Sequence, residues 1–211
     1  FLLEKFHKEL NMVNSNTTNE NNNIEYDQTN EQEMLNLFLQ EFKDNFNSPI
    51  SNLFYGLLET KSQCHGCQTI KYNFQVYSFI EFPLQEVNKF CFNMNKRPLV
   101  NNDGSNPDID LYECFDYYGK IDLMTGDNQM YCNICKKLNN AFYSTSIYSS
   151  PNNFIINLNR GRGAVYECKV IFPELLNIFS YVTYKHGNTV FELYAVICHL
   201  GPSSMSGHFE S

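Results

Sequence analysis

No stretch of the 211 residues approaches the ~18 consecutive apolar residues that a bilayer-crossing helix needs, so no such helix is expected. The opening "FLL" is too short for the apolar core of a secretion signal and is followed at once by Glu4 and Lys5. Basic residues are outnumbered, 15 Lys and Arg against 23 Asp and Glu, and the net charge is −8. That balance argues against a nucleic-acid surface, whose phosphates demand clustered Lys and Arg, and leaves room for a basic partner. No internal repeat is found. The chain opens on Phe1 in place of Met and stops three residues after a histidine motif, so a piece of a longer protein is expected. What is present, 43% hydrophobic residues in a chain of this length, suffices for a sizeable core in one large domain or two small ones.

The eight cysteines are unevenly placed. Cys64 and Cys67 form "CHGC", and Cys132 and Cys135 form "CNIC". Two such knuckles supply four thiolates, the complement of one tetrahedral structural zinc ion, whereas a disulfide framework needs an oxidising compartment and a redox motif needs a single knuckle beside a βαβ unit. Residues 68–131, 64 in all, separate the knuckles. Closing so long a loop adds only ~0.6 kcal/mol per doubling of length, against roughly 10–16 kcal/mol of apparent zinc binding. His65 lies inside the first knuckle and, with four thiolates available, is expected to face solvent.

Helical spacing of Leu2, Leu3, Phe6 and Leu10 predicts an amphipathic helix at the start. Residues 11–30 are Asn-rich and without period, which predicts a mobile insertion. Leu35, Phe38, Leu39, Phe42 and Phe46 restore the helical stripe. From Ser51 the pattern turns to alternation: Ile70, Tyr72, Phe74 and Val76 share one face of a strand expected to run to Leu84. Residues 90–107 are turn-rich and read as a loop or hairpin connection, and 109–120 as a short helix. Strands are expected over 152–160, 164–173 and 191–201. Helices first and a strand-rich body after them predict α+β.

The chain closes on "SMSGHFES", Ser204 to Ser211, and His208 in that small-residue setting reads by itself as a solvated loop histidine. Several blocks, taken in order, change that reading. "SPISNLFYGLLETKSQCHGC" carries Ser-x-Ile, Leu-Phe-x-Gly and Cys-x-x-Cys, and "LYECFDYYGKIDLMTGDNQMYCNIC" places an acidic Gly-Asp-Asn turn before the second knuckle. "NNFIINLNRGRG" keeps Arg160, "YECKVIFPELLNI" keeps Lys169, Phe172 and Pro173, and "FELYAVICHLGPSSMSGHFES" carries Ala-Val, His-x-Gly and Gly-His-Phe. Together these resemble the ubiquitin-specific protease family of cysteine deubiquitinases over residues 1–10 and 31–211. Two departures stand out: Gly161 where the family generally has Phe, and Phe209 in place of the usual Tyr.

The resemblance implies a papain-like hand of the α+β class. Residues 1–47 would be the end of the thumb with its insertion at 11–30, and 48–146 the zinc-ribbon fingers, with the strand at 70–84 continuing into the palm. Residues 147–211 would be the palm, cut after the histidine motif. It implies His208 as the general base, with His199 as runner-up, and Gly207 and Phe209 beside the channel for the modifier's C-terminal tail. One structural zinc on Cys64, Cys67, Cys132 and Cys135 is implied, with ubiquitin or a ubiquitin-like modifier and its protein conjugates as partners in the cytoplasm or nucleus. The family's Cys box has no counterpart in the 211 residues, nor has the Asp or Asn expected to orient the imidazole. Cys91, Cys114, Cys168 and Cys198 lack the setting of a reactive thiol. The isolated chain is therefore expected to be inactive, and the alternative is a non-catalytic ubiquitin-binding scaffold on the same fold.

Overall fold

A computed structural model describes residues 2–13, 27–203 and 206–211. Helices α1 (Leu2–Leu10), α2 (Glu31–Asn45) and α3 (Pro49–Phe54) lead into strands β1 (Gly56–Cys64), β2 (Ile70–Tyr77) and β3 (Ile80–Pro83). Helix α4 (Leu84–Asn93), strand β4 (Ile109–Asp110) and helix α5 (Leu111–Tyr118) follow. Strands β5 (Ile121–Met124), β6 (Met130–Cys132), β7 (Lys137–Asn139), β8 (Ala141–Ser149) and β9 (Ile156–Asn159) come next. The chain ends with β10 (Val170–Ile171), β11 (Leu175–Asn177), β12 (Val190–Glu192), β13 (Cys198–Ser203) and β14 (Ser206–Glu210). The class is α+β, as the order of patterns predicts. None of the described helices is long and apolar enough to cross a membrane.

Two compact units share the chain. The first comprises Phe1–Ser78, Lys120–Phe154 and Val182–Gly187. Its antiparallel sheet runs β2-β1-β8-β5, with the hairpin β6-β7 beyond it. Helix α2 starts at Asn30, whose side chain accepts from the Glu33 N–H, and carries Glu31 and Glu33 in its first turn, where the helix dipole favours negative charge. It buries Leu35 and sets Phe38 6.3 Å from Phe74 of β2. The second unit comprises Phe79–Gly119, Ile155–Tyr181 and Asn188–Ser211. Its core gathers Phe82, Leu84, Val87, Cys91, Ile109, Cys114 and Phe115, and Phe82 meets Phe115 edge-on at 5.0 Å. Asp110 caps α5 in a reciprocal box with Glu113, and Arg97 pairs with Glu113 at 2.9 Å while donating from Nε to Asn88. These bonds tie the segment after α4 to the helices.

Several expectations are revised. The strand expected over 70–84 is two strands in different units, broken at Ser78 and Phe79, and Leu84 already begins α4. The connection expected over 90–107 starts inside α4, where Val87, Asn88 and Cys91 at helical spacing are buried. Of the strand expected over 164–173 only Val170–Ile171 is ordered into a ladder, and β8 was not anticipated at all. The insertion falls mostly outside the described residues, but Asp27–Asn30 forms the turn that caps α2.

Helix α1 is the most instructive revision. Leu2, Phe6 and Leu10 of its apolar stripe are exposed, and the residue it buries is His7. The imidazole stacks on Phe46 at 5.2 Å and meets Tyr55 at 5.3 Å, while Nδ1 lies 2.7 Å from Ser48 Oγ. Ser48 and Ser51, both buried, close the capping box of α3. Burial first, and the Lys8 charge second, hold His7 below its ordinary value. The unfolded chain therefore binds this proton more readily than the folded one. The contribution of His7 to stability is complete above the unfolded value near 6.5 and is lost as pH falls below it. Urea midpoints between pH 8 and pH 5 should decline with acid, and His7→Phe should flatten that dependence; an unchanged slope in the variant would contradict the assignment. Ser48→Ala should cost about 1–2 kcal/mol through loss of the cap.

Candidate functional site

Strand β1 runs directly into the first knuckle, since Cys64 is its last residue and pairs with Ala141 at the start of β8. Cys132 ends β6 and Lys137 begins β7, so the second knuckle is the turn of that hairpin. The two knuckles share one backbone design. In each, the N–H of the residue after the second cysteine returns to the carbonyl of the first cysteine at 2.8 Å: Gln68 to Cys64, and Lys136 to Cys132. Both residues adopt the left-handed conformation, with φ of 60° and 56°. His65 N–H donates to the Asn140 carbonyl at 2.9 Å and fastens the first knuckle to the strand leaving the second.

The four sulfurs converge as a result. Cys64 Sγ lies 3.9 Å from Cys135 Sγ, Cys67 Sγ lies 3.6 Å from Cys132 Sγ, and all four are within 4.8 Å of one another. The set can hold a metal ion, and among the described residues it is the one such group of His, Cys, Asp and Glu. The Thr69 hydroxyl lies 3.2 Å from Cys67 Sγ and holds that thiol down to about 6, whereas Cys135, donating toward the Cys67 sulfur, is pushed up to about 12. Four thiols this close cannot all ionise without a cation, because each thiolate raises the cost of the next. His65 is exposed, its ring 5.9 Å from that of Phe142, and stands outside the set. Gly66 leaves room for the convergence: a Cβ there would come within 3.1 Å of Asn139 Oδ1.

In the second unit His208 lies on β14, paired with β13 in the register Cys198↔Glu210, His199↔Phe209 and Leu200↔His208. Side chains alternate across a strand, so His208 shares a face with Leu200, Cys198 and Glu210, and His199 shares the opposite face with Gly207 and Phe209. His208 and Phe209 are exposed. The residues Ser204 and Met205 of the expected loop lie outside the described residues. The remaining cysteines are dispersed. Cys91 and Cys114 are fully buried, and burial pushes Cys91 up and Cys114 to about 12. Burial also raises Cys168, which sits 3.8 Å from Arg160 Nη1. Cys198 is exposed and lies diagonal to His208 on the same face of the hairpin.

One feature escaped the sequence reading. Asp27, Thr29, Asn30, Glu31, Gln32, Leu35 and Tyr148 line an open pocket of about 670 Å³ at the N-terminus of α2. Asp27 Oδ1 accepts from both the N–H and the hydroxyl of Thr29, which lowers its pKa, and burial followed by the Glu31 charge raises that of Tyr148. The acidic first turn of α2 was visible in the sequence, but Tyr148 reaches the pocket from β8, 117 positions beyond Glu31 (148 − 31).

The sequence profile of the family described as "Ubiquitin carboxyl-terminal hydrolase" matches residues 2–211. The chain belongs to this family. Among curated relatives it is 26% identical over 166 residues to Ubiquitin carboxyl-terminal hydrolase 17-like protein B of Mus musculus, covering 77% of the chain and 31% of that protein. It is 23% identical over 192 residues to Ubiquitin carboxyl-terminal hydrolase 21 of Homo sapiens, covering 88% and 31%. With Ubiquitin carboxyl-terminal hydrolase 48 of Rattus norvegicus it shares 30% over 106 residues, 47% of the chain and 10% of that protein. The chain thus spans less than a third of the length of these relatives.

In this member of the ubiquitin carboxyl-terminal hydrolases, both knuckles bend through a left-handed residue that is not glycine. Gln68→Gly and Lys136→Gly should each be neutral or stabilising by roughly 0.5–1 kcal/mol, because glycine enters that region without a Cβ penalty. Denaturation of the reduced, metal-loaded chain measures this. A loss of stability in both variants would contradict the shared knuckle geometry.

Proposed function

We propose that this chain serves a thiol isopeptidase that cleaves conjugates at the C-terminus of ubiquitin or a ubiquitin-like modifier, with His208 as its general base. Family membership over residues 2–211 carries the reading. His208 takes the proton of a cysteine thiol, and the thiolate attacks the isopeptide carbonyl. The imidazolium then gives that proton to the departing lysine amine as the thioester forms. Water, deprotonated by the same imidazole, hydrolyses the thioester and frees the modifier's carboxylate. Gly207 and Phe209 flank the base, and a backbone without a Cβ at 207 suits close passage of an extended tail. The carboxylates of Asp27 and Glu31 beside Tyr148 favour a basic segment of the partner.

The four knuckle cysteines fit zinc. Sulfurs at about 2.3 Å from a tetrahedral ion stand about 3.8 Å apart, and the two closest pairs here are 3.6 and 3.9 Å. Bound there, the ion cross-links the β1–β2 turn to the β6–β7 hairpin. Residues 1–47, 48–146 and 147–211 are assigned to thumb, fingers and palm on the strength of the family resemblance. Reduced thiols of this kind suit the cytoplasm or nucleus.

Burial raises the pKa of Cys91, Cys114 and Cys168, and Cys198 is exposed on a strand with no helix N-terminus to activate it, so the attacking thiol is assigned to a cysteine outside these residues and the 211 residues alone are inactive. A ubiquitin probe with a thiol-reactive C-terminal warhead should leave the chain unlabelled; robust labelling at any of the four would contradict this. In a longer form that turns over conjugates, His208→Ala should lower kcat by about 10²–10⁴-fold with little change in KM. Undiminished turnover there would remove His208 as the base.

A further inference from the structure

The face of the terminal hairpin turned away from His208 is packed in an unusual way. His199 and Phe209 are cross-strand partners, and their rings meet at 4.8 Å with a tilt of 48°. The imidazole also lies over the backbone of Gly207. A Cβ built on Gly207 would come within 2.5 Å of His199 Nε2, 2.8 Å of its Cε1 and 2.5 Å of the Leu200 carbonyl oxygen. A real Cβ does not come that close to a non-bonded atom, so a side chain at 207 collides with the Leu200 backbone oxygen and also with the His199 ring in its present position. Gly207 and Phe209 are the two neighbours of His208 along β14, and His199 touches both. The same ring lies on the face opposite His208, which places it away from any thiol that His208 serves.

We infer that His199 is a positioning residue: its imidazole, packed on Phe209 and over Gly207, holds both chain neighbours of His208 and so sets the direction of the base. The inference rests on the reading of His208 as that base. It gives Gly207 a second constraint, since the glycine must accommodate the His199 ring whether or not a substrate tail passes. It also shows why a ring is needed at 209: Phe209 supplies the surface against which His199 packs, and that contact requires no hydroxyl. Between β13 and β14 the register slips after Leu200, so the ladder beyond the His199–Phe209 and Leu200–His208 pairs is irregular and side-chain packing must carry more of the alignment.

Nuclear magnetic resonance on the full 211-residue chain tests this without turnover, using the His208 ring C–H signals and amide exchange of residues 198–210. His199→Ala, which removes the contact, should shift the His208 signals and speed exchange of the hairpin amides by roughly tenfold or more. Amides of β3 and β9, in the same unit, should keep their protection. His199→Phe should restore the native His208 signals, because the contact is made by a ring. An unchanged His208 environment in His199→Ala would overturn the inference, as would loss of β3–β9 protection, which would make His199 a residue of the general fold. Failure of His199→Phe to rescue would also overturn it. Each of these failures leaves the assignment of the base to His208 standing, since that assignment is decided by turnover of His208→Ala.

Discussion

Antiparallel pairing of β1 with β2 on one side and β8 on the other is the constraint on which the first unit depends. The register runs without interruption from Leu58↔Ile147 to Cys64↔Ala141, and it delivers Cys64 to the start of β8, just after the hairpin that carries the second knuckle. Two motifs far apart in sequence thereby meet at one end of the sheet. The entropy of closing the intervening loop is offset by ladder bonds and core burial. The pairing is strong enough to carry a buried charge. Glu59, in the middle of β1, is fully buried, 3.1 Å from Lys61 Nζ and accepting from Ser146 at 3.3 Å. Burial raises its pKa against the pull of Lys61, so the sheet holds a carboxylate whose ionisation opposes folding at neutral pH.

The second unit shows a different solution. Its strand pairs are short, and order comes from aromatic packing around Phe82 and Phe115 together with polar ties such as Arg97 to Glu113. The hairpin bearing His208 belongs to this unit and presents its histidines on opposite faces. A close pair of histidines in sequence is thus separated by the pleat, one turned outward and one packed on its neighbours.

Much of this was legible in residue spacing. Helix α2 follows from its apolar stripe and the sulfur cluster from paired Cys-x-x-Cys knuckles, and α5 falls within the short helix expected over 109–120, because each signal is local or carried by a fixed spacing. The misses have physical causes. Strand β8, "AFYSTSIYS", has hydroxyl and aromatic residues with only Ala141 and Ile147 buried, so its alternation is weak, and its partner β1 lies more than seventy positions back. Helix α4 was obscured by the turn residues that follow it. The burial of His7 could not be read at all: an apolar stripe predicts which face of a helix is buried only when a core awaits it, and α1 instead meets Ser48, Phe46 and Tyr55. Tyr148 beside the pocket at α2 is likewise a tertiary fact, without a short-range signature.

The register of β1 and β8 brings together four sulfurs that can hold one metal ion. X-ray absorption at the zinc edge of the reduced chain purified without added chelator tests it most directly. Four sulfur scatterers at about 2.3 Å, with no nitrogen in the shell, are the expected result. A shell containing nitrogen, fewer than four sulfurs, or protein that emerges without bound zinc would contradict it.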